Sequence, residues 1–217
     1  MKTDAQLQKD VMEELKWEQN VTASEIGVAV HDGAVTLNGT VPTYAEKRAV
    51  ERAVQRVQGV KAIAEEIQVK LTGTHKRNDS EIAEAAVSSL KQHVWVPVDI
   101  QPTVENGWVT LRGEVNLEFQ RSAACDAVRY LAGVKGVSSN ITVKPAVQPT
   151  AVKDAIEKAL KRNAVIDAER IKVSADGGKV TLSGSVRSWG ERGEVGSAAW
   201  NPPGVTAVQN NLTVSYS

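Results

Sequence analysis

One cysteine in 217 residues, Cys125, excludes an internal disulfide and with it the stapled small-domain folds of secreted proteins. Nowhere do 18 apolar residues run together, so no helix of the membrane-spanning kind is expected. The opening run Met1-Lys2-Thr3-Asp4-Ala5-Gln6 leads into a polar amphipathic segment without the apolar core of a signal peptide. The expectation is therefore a cytoplasmic chain, or a periplasmic one if the sequence is a processed form. Excess charge of one sign is missing too: Lys plus Arg and Asp plus Glu number 26 each. A nucleic-acid partner, which needs a basic surplus, is not expected. Histidine is sparse, and His31, His75 and His93 stand apart with no partner at metal-ligand spacing, so neither a metal nor another cofactor is expected. Aromatics make up 4% of the chain, and five of the nine are tryptophan.

What the sequence does hold is repetition. Val35-Thr36-Leu37-Asn38-Gly39 returns 74 positions later as Val109-Thr110-Leu111-Arg112-Gly113, and 71 after that as Val180-Thr181-Leu182-Ser183-Gly184. A second glycine, followed by valine, keeps the same spacing as Gly59, Gly133 and Gly204. Internal periodicity of this length marks one structural unit used repeatedly. The chain divides into modules at 1–72, 77–145 and 149–217, joined by polar residues 71–78 and by the proline-bearing stretch 144–150.

Each module reads the same way. Leu7, Val11 and Leu15 form one helical stripe, repeated by Ile82, Ala86 and Leu90 and by Val152, Ile156 and Leu160. Thr3 with Gln6 is a capping box. Ile26, Val28 and Val30 alternate as in a half-buried strand; Val98, Ile100 and Val104 are its expected counterpart, as are Ile171 and Val173. Asp32-Gly33, Asn106-Gly107 and Gly177-Gly178 are tight hairpin turns. Gly39, Gly113 and Gly184 fall on the inward face of the following strand, where a glycine implies close backbone approach, by a helix, or a bulge. Thr43 with Glu46 and Ser188 with Glu191 are capping boxes for a second helix. Gly59, Gly133 and Gly204 stand as its C-terminal glycines. A last strand follows, crossing over to lie parallel to one member of the hairpin. The fold class is α+β: three tandem αββαβ modules, each a three-stranded mixed sheet covered on one face by two helices.

The Gly-Val-Thr-Leu-x-Gly-type hairpin strand is joined by a final strand of the Gly-Val-x-x-Val…Asn-x-x-Val type. The latter stands as Gly133-Val134-Lys135-Gly136-Val137 with Asn140-Ile141-Thr142-Val143, and as Gly204-Val205-Thr206-Ala207-Val208 with Asn211-Leu212-Thr213-Val214. Together these features resemble the BON family of bacterial modules, named for osmotically inducible and nodulation-related proteins. The first copy departs from the pattern with Glu66 in place of the asparagine. The resemblance implies a stress-associated, non-enzymatic protein that binds anionic phospholipid or envelope proteins. It brings no catalytic residues.

No convergent set of ionisable groups suggests an active site. The aromatics are the best candidates for contact. Tyr44 with Lys47 and Arg48, and Trp189 with Arg192, pair rings with cations at the start of second helices, and Trp108 lies on the outward face of a strand. Such pairs suit a lipid headgroup region or a protein interface. Two other readings stand beside that one: the rings fill space between undersized modules, or the open sheet faces of a soluble scaffold bind other polypeptides. Spare sheet edges leave pairing within and between chains equally open, and the oligomeric state with it.

Overall fold

The computed structural model describes residues 2–144, 152–163 and 166–215. Most of the expected second linker, residues 145–150, lies outside the described residues. The chain forms two compact units. One comprises Met1–Thr40, Arg48–Gln68 and Val147–Ser217; the other comprises Val41–Lys47 and Val69–Ala146.

Three αββαβ modules are present. The first contains α1 (Asp4–Trp17), β1 (Ile26–His31), β2 (Ala34–Val41), α2 (Tyr44–Arg56) and β3 (Ala62–Val69). The second has α3 (Asp79–Gln92), β4 (Gln101–Glu105), β5 (Trp108–Val115), α4 (Glu118–Arg129) and β6 (Gly136–Val143). The third has α5 (Val152–Arg162), β7 (Ile171–Asp176), β8 (Lys179–Val186), α6 (Trp189–Trp200) and β9 (Ala207–Val214). Each sheet has three strands in sequence order, with the second at the centre. β4 runs antiparallel to β5, and β6 parallel to it, with Val109 opposite Val137. β7, β8 and β9 repeat that arrangement.

The period-2 pattern of the central strands decides what is buried. Val35 and Leu37, Val109 and Leu111, and Val180 and Leu182 are all sealed from solvent. Against them pack the first-helix stripes, namely Leu7, Val11 and Leu15 and their counterparts in α3 and α5. Each fully buried Leu or Ile contributes about 1.5–3 kcal/mol. In the third module the core also takes in Ile166, Ile171, Val195, Ala199 and Leu212.

Local chemistry sets the element ends. Thr3 and Gln6 close the expected capping box, and Asn78 with Glu81 forms a second on α3. Asp4 and Asp79, the first helical residues, also reach across to the hairpin turns. Asp4 accepts from the amides of Asp32 and Gly33 at 2.8 and 3.1 Å; Asp79 accepts from those of Asn106 and Gly107 at 2.7 and 2.8 Å. Both turn residues have positive φ in these two copies, as the tight primed turn requires.

Three expectations change in detail. The Val98 segment is not strand: the amide of Ile100 donates to the carbonyl of Pro97, so 97–100 is a turn, β4 begins at Gln101, and Val98 is 88% exposed. Gly39 and Gly184 are indeed approached closely, but by the 3₁₀ turns that feed the first strands rather than by a helix. An added Cβ would sit 2.1 Å from the Glu25 carbonyl oxygen and 2.0 Å from that of Arg170. Gly59 and Gly133 come a turn after the last helical residue, with φ of +118° and +91°, and let the first helix close in through Leu7 and Ile82.

Candidate functional site

The residues marked out by sequence do not gather in one place. Tyr44, half-buried at the start of α2, lines a cleft of about 250 Å³ with Leu71, Arg129 and Tyr130, all within the second unit. Lys47 is half-buried one turn on, and Arg48 is paired with Glu51. Trp108 lies on the open sheet face, half exposed, its ring laid over Gly136 and its indole Nε1 donating to Ser138 Oγ at 2.8 Å.

Trp189 and Arg192 do meet, with the guanidinium 5.1 Å from the ring centroid. Arg192 is also tied down by its own module: Nε donates to the Leu212 carbonyl at 3.1 Å and Nη2 to that of Asn210 at 2.7 Å. The indole Nε1 of Trp189 is buried and has no hydrogen-bond partner among the described residues. Beside it, a Cβ on Gly190 would lie 3.7 Å from the Gln55 carbonyl oxygen of the same unit. This pair is therefore built into the first unit.

The buried carboxylate Glu191 has a different job from the one its spacing suggests. Its amide donates to Ser188 Oγ at 3.1 Å, but its carboxylate accepts from the amides of Asp167 and Arg187 at 2.9 and 2.6 Å instead of closing a box. Burial alone would push its pKa up; those two amides and the Arg187 side chain outweigh it and hold the group below the usual carboxylate value. Cys125 is half-buried on α4, and burial pushes its thiol up, away from the reactive thiolate form. Among the described residues, no group of three or more His, Cys, Asp and Glu side chains could hold a metal ion.

An apolar cluster that sequence reasoning did not single out lies in the second module. Trp95 and Phe119 meet edge to face with centroids 5.7 Å apart, yet are 59% and 48% exposed. Val94 and Val98 are 88% exposed on the same loop, and Leu117 is exposed beside Phe119. Helix α4 accounts for part of this. Where α2 has Tyr44-Ala45 and α6 has Trp189-Gly190, α4 has Glu118-Phe119, placing a large ring where the other copies have a small residue. The signal was present as Val94-Trp95-Val96-Pro97-Val98, a proline-broken apolar run between helix and strand.

Three small α+β modules in tandem, each a three-stranded mixed sheet with its two helices, define the class of fold. Its sequence places it more narrowly: the BON domain pattern matches residues 3–70, 78–145 and 150–216, and the chain belongs to that family. It is 28% identical over 144 residues to osmotically-inducible protein Y of Escherichia coli strain K12, a match spanning 62% of this chain and 72% of that protein. Among solved structures it is similar to CdsD, a structural protein of the type III secretion system of Chlamydia trachomatis. That comparison gives 14% identity and a TM-score of 0.27, over 96% of this chain and 92% of the other. The C-terminal domain of the same protein gives 15% identity and a TM-score of 0.27, over 99% and 100%.

Proposed function

We propose that this chain is a non-enzymatic binding protein of the osmotic-stress response, which contacts anionic phospholipid surfaces through its second module. The stress association rests on BON membership and on the likeness to osmotically-inducible protein Y. One observation carries the contact surface: the cluster of Val94, Trp95, Val98, Leu117 and Phe119, which exposes apolar side chains on a loop and the adjoining helix start. An indole with valines on either side suits shallow insertion at headgroup depth, the ring's apolar body in the acyl boundary and its N–H in the wet layer. Among the described residues no helix is long and apolar enough to cross a membrane, so attachment would be peripheral.

The test is sedimentation of the full chain with phosphatidylglycerol and with phosphatidylcholine vesicles across a salt series. Selective pelleting with the anionic vesicles, weakened by salt and lost on Trp95→Ala with Phe119→Ala, is the expected result. Equal behaviour of that variant and the parent chain would refute the assignment. Capture of unfolded polypeptides, without vesicle binding, would instead establish the scaffold reading.

A further inference from the structure

The chain holds two Asn–Gly pairs, Asn38-Gly39 and Asn106-Gly107. Glycine has no Cβ to shield its backbone nitrogen, which leaves such a pair open to attack by that nitrogen on the asparagine side chain. The fold treats the two pairs differently. Asn38 lies within β2, the central strand of its sheet, opposite Gly27, and its side-chain oxygen rests over that glycine. Reaction there would require the strand to leave its neighbours. Asn106 is in the turn between β4 and β5, exposed to water, with φ of +52°.

What holds this turn is the Asp79 carboxylate. One oxygen accepts from the Gly107 amide at 2.8 Å and the other from that of Asn106 at 2.7 Å. The attacking atom would be the Gly107 nitrogen once it gives up its proton, and a carboxylate 2.8 Å away opposes a negative charge there. The same bond aims the N–H at α3. The first module repeats the device, with Asp4 on Asp32-Gly33, a pair open to the same ring closure. The third module has Gly177-Gly178, with no side chain to react. Asp4 and Asp79 stand three residues before Leu7 and Ile82, whereas Pro149 stands three before Val152 in the third copy. Acid and reactive turn occur together and are missing together.

We propose that Asn106 is a latent site of spontaneous deamidation, held closed in the folded chain by the Asp79 carboxylate. When that contact opens, the Gly107 nitrogen bonds to Asn106 Cγ, the Cγ–Nδ2 bond breaks, and ammonia leaves with the proton the amide gave up. One water then opens the succinimide. Addition at Cγ gives aspartate, the residue the first module already carries as Asp32. Addition at the backbone carbonyl gives isoaspartate, whose main chain runs through the former side chain and is one carbon longer. The turn has no slack for that. Gly107 is buried, its carbonyl accepts the Lys135 amide at 2.8 Å, and an added Cβ would lie 2.9 Å from the Gly133 carbonyl oxygen. The isoaspartyl product therefore opens the β4–β5 hairpin.

The test is incubation of the full chain in mildly alkaline buffer, with amide loss and isoaspartate at each pair followed by peptide mass mapping. In the parent, Asn106 should react far more slowly than in the urea-unfolded chain. Asp79→Ala should speed it about tenfold, the effect of one charge-assisted bond. Asp79→Asn, which keeps an acceptor oxygen, should speed it less, and Asn38 should stay slow throughout. Leu90→Ala, at the buried far end of α3, loosens the module without touching the turn and should leave the Asn106 rate near the parent's. Should Asp79→Ala fail to fold, Asp79→Asn alone decides. A parent rate at Asn106 equal to that of the unfolded chain overturns the proposal. So does a rate unmoved or slowed in the Asp79 variants, or an equal acceleration by Leu90→Ala.

Discussion

Substituting alanine at Gly39, Gly113 and Gly184 in turn perturbs one structural position three times within one chain. All three have positive φ, +133°, +143° and +119°, which an alanine adopts at a cost of about 1–3 kcal/mol. The surroundings then differ. At Gly39 and Gly184 the new Cβ would meet a backbone carbonyl oxygen at 2.1 and 2.0 Å, so the strand pair must part. At Gly113 its nearest neighbour is the end of the Ile100 side chain, at 2.8 Å, with the Asp99 carbonyl oxygen at 3.0 Å. A side-chain methyl can swing aside; a carbonyl held in a turn cannot. Overpacking of a rigid neighbour adds about 1–3 kcal/mol, giving totals of about 3–5 kcal/mol at Gly39 and Gly184, and about 2–3 kcal/mol at Gly113. Amide hydrogen exchange is the suitable assay, since it reads the opening of β2, β5 and β8 separately where melting curves of three modules would overlap. A difference of about 1.4 kcal/mol appears as tenfold faster exchange. If Gly113→Ala opens its sheet as readily as Gly39→Ala opens its own, the reasoning from steric contact is wrong.

Other expectations follow from single contacts. Asp79→Ala should destabilise the second module by about 2 kcal/mol, through two lost charge-assisted bonds at a partly exposed site, whereas Ser80→Ala should stay within about 0.5 kcal/mol; urea denaturation compares them. Glu191 has its pKa depressed on folding, so its stabilisation is present above the ordinary value of 4.5 and is lost as pH falls through the folded value. Glu191→Gln should therefore melt lower than the parent at neutral pH, and the gap should close in acid. Trp95→Ala should leave the melting temperature nearly unchanged, since the ring is more than half exposed, while tryptophan emission of the parent should shift to the blue with anionic vesicles and that of the variant should not. Arg192→Ala should lower stability by about 1–3 kcal/mol, because two carbonyls lose a charged donor, and should not alter the salt dependence of vesicle binding.

Much of the fold was legible because repetition supplied three readings of each signal. Leu37, Leu111 and Leu182 are buried at equivalent places, and the turns at Asp32-Gly33 and Asn106-Gly107 form as spelled. The errors arose where a hydrogen bond to an unexpected partner, local or distant, overrides the pattern. Val98 alternates correctly with Ile100, yet the Pro97 carbonyl captures the Ile100 amide and folds the segment into a turn. Glu191 has capping-box spacing, but the amide of Asp167, 24 residues away, competes for its carboxylate. The candidate surface was harder to read, since exposure cannot be inferred from residue type. Trp189 beside Arg192 and Trp95 beside Val94 look equally suited to contact in sequence. Only the fold shows that the first pair is built into the first unit and the second stands in solvent.

The parallel pairing of β6 with β5, and of β9 with β8, has a consequence for synthesis. The final strand of a module must dock beside its central strand, so the sheet cannot close until the module's last residues have left the ribosome. Until then a two-stranded hairpin presents an unpaired inner edge carrying Val109 and Leu111, or Val180 and Leu182, with a helix not yet anchored over it. Each module is thus committed only at its end, and for as long as β6 or β9 is held inside the ribosome after β5 or β8 has emerged, the strand edge most prone to pairing with another nascent chain stays exposed.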